Sequence, residues 1–258
     1  MARSIIGGLI KTGFPASNIL VSDVDSTVTQ SLQQELGIRV TNSNIEAAQN
    51  ADVLVLAVKP NMMKDVCEQF AHVQDIQTKL FISVAAGVSV QSLSTYIGAD
   101  NIVRSMPNTP ALVGLGMTGL YAPQCVSEQD RAFAAQMLQG VGKTLWVEQE
   151  NQINHVTAAS GSSPAYFFLF MESMVEKCEA LGFDPEQARL LVSQTATGAA
   201  ELVRTQKSTI STLRKKVTSK GGTTAEALRV FEERNIRGIV DAAMQACIDR
   251  AATMAKQF

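Results

Sequence analysis

The run Ser219-Lys220-Gly221-Gly222-Thr223-Thr224-Ala225-Glu226-Ala227-Leu228 carries the residues with the clearest chemical use. Thr223 and Glu226 have the spacing of a capping box, which places a helix start there. The two preceding glycines permit close backbone approach and unusual dihedral angles. Free N–H groups in the first turn would carry partial positive charge and suit a small carboxylate. The Thr224 hydroxyl, at the helix mouth, is placed to bond a ring nitrogen. The same letters also read as a loop closed by an ordinary cap, and local pattern alone favours that reading, because capping boxes are common.

Three further segments invite a chemical reading, each beside a bland one. Ala57-Val58-Lys59-Pro60 follows a strongly apolar run. In open α/β sheets ligands lie beyond the carboxyl ends of strands, so Lys59 can reach a phosphate or ribose, or be a solvated turn lysine. Met106-Pro107-Asn108-Thr109-Pro110 is stiffened by two prolines. It suits holding a nicotinamide ring and serves equally as a rigid connector. Ala159-Ser160-Gly161-Ser162-Ser163-Pro164-Ala165 is either a substrate contact or a hinge and helix start.

These segments need elements to position them. Residues 19–22, 52–58, 79–84 and 102–106 are short, nearly continuous apolar runs, and 143–148 resembles a last strand. Such runs suit strands buried on both faces of a parallel sheet. Amphipathic stretches at 26–36 and 61–70 lie between them, which argues for a doubly wound α/β domain over residues 1–150. From 151 to 258 the pattern is helical. A long apolar helix over 164–181 stops at Gly182; Asp184-Pro185-Glu186 starts another that runs to Val203; periodicity resumes from Ala225 to Lys256. Small residues such as Ala196, Gly198, Ala199, Ala242, Ala243 and Ala246 favour close helix packing, read here as dimerisation, with a tightly packed monomer as the plain alternative.

The totals exclude more than they identify. The 258 residues carry a net charge of −2 and 5% aromatic content, which argues against nucleic-acid or membrane attraction and against a base-stacking surface. Cys67, Cys125, Cys178 and Cys247 are far apart, so neither a disulfide framework nor a zinc site is expected, no metal is assigned, and a reducing cytoplasm fits. No apolar stretch is long enough to span a bilayer.

Taken in order along the chain, AVKP, MPNTP, SGSSPAY and GGTTAEAL resemble pyrroline-5-carboxylate reductase, over essentially the whole length. The resemblance implies an α/β N-terminal Rossmann-like domain and an all-α C-terminal dimerisation domain. It implies reduction of 1-pyrroline-5-carboxylate to L-proline, the last step of proline biosynthesis, with NADP (NADPH) or NAD as cofactor and a cytoplasmic homodimer or a larger assembly of dimers. It assigns Thr224 to the substrate nitrogen. Ser219, Gly221, Gly222 and Thr223 shape the carboxylate pocket; Ala57, Lys59 and Pro60 border the dinucleotide; Met106 and Asn108 lie near its nicotinamide end. A protonated imine already accepts hydride well, so orientation and electrostatics are what the protein must supply.

The chain departs from that family in three places. Gly161-Ser162-Ser163-Pro164 replaces Gly-Ser-Gly-Pro, and Lys220 stands where proline is common. Met1-Ala2 resembles the end of a GxGNMA motif, so the Rossmann-like domain is expected to lack its first strand and glycine turn, and to bind cofactor poorly. Asp23 and Asp25 near the end of the second family strand favour NAD, while the resemblance favours NADP. Two rival readings stand beside this one. A two-domain hydroxyacid dehydrogenase would need a lysine within 160–171, which has none. A non-catalytic dimeric relative would have lost cofactor binding with the first strand.

Overall fold

A computed structural model describes residues 1–255, which form two compact units: residues 1–164 with the stretch from Ala246 onward, and residues 165–245. In the first unit, strands β1 (Leu20–Ser22), β2 (Arg39–Thr41), β3 (Val53–Leu56), β4 (Leu80–Ser83), β5 (Ile102–Met106), β6 (Gly116–Tyr121) and β7 (Gly142–Trp146) alternate with helices. These are α1 (Ala2–Lys11), α2 (Ser26–Leu36), α3 (Asn44–Asn50), α4 (Met63–Glu68), α5 (Val90–Ile97), α6 (Glu128–Gln139) and α7 (Gln152–Val156).

The centre of the sheet is its most buried part. All four residues of β4 are buried, and side chains alternate between faces as strand geometry requires. Phe81 joins Leu54, Leu56, Met63, Cys67, Phe70 and Leu93 on one face. Leu80 and Ile82 join Ile5, Val103, Leu120, Met137 and Leu138 on the other. This two-sided burial is why these runs lack polar alternation.

The sheet is not continuous. β1 and β2 pair in parallel, and β3-β4-β5-β6-β7 form a separate group. A cavity of about 1070 Å³ is lined from both, by Leu20 and Val21 on one side and Leu54 and Leu56 on the other, with Ile6 and Leu32 from flanking helices. The expectation of an α/β N-terminal domain is met. The parallel expectation needs one correction: β6 runs antiparallel to β5, while β7 is parallel to β6. Neither β6, Gly-Met-Thr-Gly-Leu-Tyr, nor the three-residue β2 makes an apolar run that sequence pattern could register.

The second unit is helical. Its helices are α8 (Ser163–Ala180), α9 (Pro185–Thr205), α10 (Ile210–Lys216), α11 (Thr223–Glu233) and α12 (Ile236–Met254), the unit division falling inside α8 and α12. Gly182 stands at φ 96° after α8, and Asp184 caps α9 in a full capping box with Gln187. The continuous helix expected from Ala225 to Lys256 is instead two, because Asn235 turns left-handed at φ 56° and its side chain accepts from Gly238 N; Lys256 lies outside the described residues. A single-residue break of this kind hardly disturbs helical periodicity. Phe167, Phe168, Leu169, Leu190 and Ile239 remain exposed on this unit. An apolar surface of that extent marks an association face.

Candidate functional site

At the helix mouth, residues 219–222 close a turn in which Gly222 N donates to Ser219 O at 3.1 Å, with Gly221 at φ 71°. A methyl group at Gly222 would run into Ser219 Oγ and push that hydroxyl aside, although the backbone angle there suits any residue. The cap differs from the expected capping box. α11 begins at Thr223 with Gly222 as N-cap and no side-chain cap, and Glu226 pairs with Arg229 at 2.6 Å. That ion pair, one helical turn apart, holds the Glu226 carboxyl below its ordinary range and removes it from capping. The first main-chain bond of the helix is Glu226 N to Gly222 O. The N–H groups of Thr223, Thr224 and Ala225 are therefore left facing outward beside two exposed threonine hydroxyls. The structure thus brings Ser219, Gly221, Gly222, Thr223 and Thr224 into one turn that can bind a carboxylate. α10, just upstream, ends in Arg214, Lys215 and Lys216.

At the carboxyl end of β3, Ala57 and Lys59 are exposed, and Pro60 starts a single 3₁₀ turn after Lys59 in extended geometry. No hydrogen bond or ion pair holds the Lys59 ammonium among the described residues, which leaves it free to meet an anion. At the end of β1 the two acids have different tasks. Asp25 caps α2, accepting from Thr27 N and Thr27 Oγ1, and those bonds hold its carboxyl below the usual range. Among the described residues Asp23 Oδ1 accepts the Asp25 N–H, at 3.0 Å, leaving Asp23 the less engaged of the two exposed carboxylates at the end of β1.

The exit of β5 is more tightly built. Asn108 is buried, and its side-chain amide is spent twice: Nδ2 donates to Ser160 O at 3.0 Å and Oδ1 accepts from Met117 N at 2.9 Å. Residues 157–161 form one π turn closed by Ser162 N to Thr157 O at 2.8 Å. Met106 packs against Gly161, where a Cβ would lie 2.6 Å from Met106 Cε. The third and fourth sequence motifs, more than fifty residues apart, are thus one structural feature.

A second tie reaches the same connection. Arg104, 3% exposed within β5, donates to Glu150 Oε1 at 2.7 Å, and that carboxylate also accepts from Val90 N at the start of α5. Arg104 Nε is buried without a partner. Sequence reading passed over this pair, although a lone arginine in Ile-Val-Arg-Ser-Met was the available signal. It also passed over the coupling of Asn108 to Ser160. The described residues hold no group of three or more His, Cys, Asp or Glu able to bind a metal, and no helix among them is long and apolar enough to cross a membrane.

Comparison with known proteins agrees with both units. Residues 150–254 match the profile "Pyrroline-5-carboxylate reductase dimerisation", and residues 1–87 match "NADP oxidoreductase coenzyme F420-dependent". A pyrroline-5-carboxylate reductase from Vibrio alginolyticus is 53% identical, with 100% of this chain and 95% of the relative covered. The solved structure of a pyrroline-5-carboxylate reductase from Coxiella burnetii superposes with a TM-score of 0.93 at 39% identity, covering 98% of this chain and 94% of that one. The Plasmodium falciparum pyrroline carboxylate reductase solved with NADP bound gives a TM-score of 0.87 at 27% identity, covering 98% and 93%.

Proposed function

The chain belongs to the pyrroline-5-carboxylate reductase family, and from that premise we propose how its residues serve the reaction. The reaction is reduction of 1-pyrroline-5-carboxylate to L-proline with NAD(P)H, in proline biosynthesis. The observation that carries the assignment of roles is the mouth of α11, where three free N–H groups, two exposed threonine hydroxyls and a glycine turn face outward together.

The substrate carboxylate binds in the pocket shaped by Ser219, Gly221, Gly222 and Thr223, against the N–H groups of the first turn. The Thr224 hydroxyl holds the ring nitrogen, which gains an electron pair as its double bond to carbon becomes single. Ala57, Lys59 and Pro60 border the dinucleotide, with Lys59 on a phosphate or ribose. Met106 and the Asn108 segment stand at the nicotinamide end. When bound, the nicotinamide cofactor supplies the hydride. Asp23 favours a ribose hydroxyl, and the NADP-bound relative supports use of NADP as well.

The division at residue 150 into a dinucleotide-binding part and a substrate-binding, dimerising part is supported by the family match that begins there. The dimerisation match and the exposed Phe167–Leu169 face support a homodimer or an assembly of dimers. At this level of identity to reductases, a non-catalytic relative is not favoured.

The test is NADPH oxidation followed by absorbance with 1-pyrroline-5-carboxylate, for the wild type and Thr224→Ala. A hydrogen bond to a charged group contributes about 1.5–3 kcal/mol, so kcat/KM should fall roughly 10- to 100-fold. A variant within a factor of two of wild type would remove Thr224 from the site.

A further inference from the structure

We propose that Asn108 is a positioning residue, a brace that sets where Met106 lies, and that its side chain is not a ligand of the cofactor. The inference rests on the reading that Met106 stands at the nicotinamide end.

The requirement for a brace starts at Pro164. In a continuous helix the carbonyl of Ser160 would accept from the N–H of residue 164, and proline has none. Neighbouring carbonyls in this irregular stretch are covered from within the segment. Thr157 Oγ1 donates to Ile153 O at 2.8 Å, Ser160 Oγ to Val156 O at 3.1 Å, and Ser163 Oγ to Ala159 O at 2.8 Å. Ser160 O is covered from outside, by Asn108 Nδ2. The other half of the same amide takes Met117 N at the start of β6. One planar group therefore joins three pieces of backbone: the exit of β5, the entry of β6 and the π turn. Single π turns inside helices recur at functional sites, and this one presents Gly161 as the seat for Met106.

One N–H and one oxygen lone pair of the amide are committed to this task, and burial screens the rest. Nδ2 and Oδ1 each have a backbone partner and the residue is buried, so the side chain has little left to offer a nicotinamide carboxamide. Its effect on hydride transfer runs through the placement of Met106 and Pro107. Small displacements of a supporting group alter turnover because hydride donor and acceptor must meet at close range.

The experiment compares Asn108→Asp, Pro164→Ala, the double variant and Met106→Ala in the full chain. NADPH affinity is read by fluorescence titration, turnover by NADPH oxidation, hydride transfer by the isotope effect with deuterated NADPH, and folding by thermal melting. Asn108→Asp keeps the acceptor for Met117 N and loses the donor for Ser160 O. Its kcat should fall about 10-fold or more and its isotope effect rise, with the Kd for NADPH changed less than threefold. Pro164→Ala restores a backbone donor to Ser160 O, so the double variant should regain melting temperature without regaining kcat. Recovery of both would show a structural role only and overturn the inference, as would a 10-fold weaker NADPH affinity in Asn108→Asp, which would make Asn108 a ligand. If Met106→Ala changes the isotope effect and Asn108→Asp does not, the brace falls while the nicotinamide reading stands. If neither changes it, both fall.

Discussion

Glu150→Gln tests the buried ion pair that anchors the segment leading into the π turn. The substitution keeps the shape and the acceptor oxygen but removes the charge facing Arg104. Arg104 is 4% exposed at its side chain, and its Nε already lacks a partner, so little water can reach in to compensate. Breaking a buried pair from one side costs about 3–5 kcal/mol. Glu150 is 27% exposed and the amide still accepts a hydrogen bond, so the cost falls below that range, at about 2–3 kcal/mol. For a chain of this size each kcal/mol shifts Tm by about 2–4 °C, giving a fall of roughly 4–12 °C. Melting should be followed at fixed protomer concentration, since the oligomer contributes to apparent stability. Loss of the carboxylate also weakens the bond to Val90 N at the start of α5, so hydrogen exchange should quicken in the first turn of that helix. The control is Arg104→Met with Glu150→Leu, which removes both charges and should recover most of the loss. A fall of less than 1 °C in Glu150→Gln, or a double variant less stable than the single one, would refute the account of this pair.

Gly222→Ala places a methyl where Ser219 Oγ now sits, at a backbone angle alanine accepts, so stability should change by less than about 1 kcal/mol. The KM for pyrroline carboxylate should nevertheless rise severalfold in steady-state assays, and Ser219→Ala in the same chain should relieve part of the rise. Lys59→Ala removes one exposed, untied cation beside the proposed dinucleotide site. The KM for NADPH should rise about 3- to 10-fold at low salt, and the gap should narrow as ionic strength increases. Burial pushes the Cys67 thiol up to about 12 from an ordinary value near 9, so Cys125 should react with a thiol reagent while Cys67 stays protected in the native chain. The same shift has a sign. The folded state keeps the proton that the unfolded chain loses, so this contribution is complete below pH 9 and is lost as pH rises toward 12, at no more than about 1.4 kcal/mol per unit. Cys67→Ala should flatten that part of the alkaline melting curve.

The sequence by itself determined the central strands, the helical second half and the turn that holds Thr224. Each of these depends on residues close together in the chain. Apolar runs such as Leu80–Ser83 report burial on two faces wherever they occur, and Gly221-Gly222-Thr223-Thr224 carries its turn and helix start within one segment. Only the tertiary structure decided what Asn108 and Arg104 do, whereas the fate of Glu226 turned on a competition within its own helix. The Glu226 carboxylate had two partners within reach, and the arginine one turn on prevails over the cap. The antiparallel β6, rich in glycine, is held by its neighbours β5 and β7 and has no apolar pattern of its own. Asn108 and Ser160 are linked because Pro164 leaves one carbonyl without a donor and the fold delivers a side-chain amide from 52 residues away. Local pattern marks the missing donor; folding alone determines which group arrives to replace it.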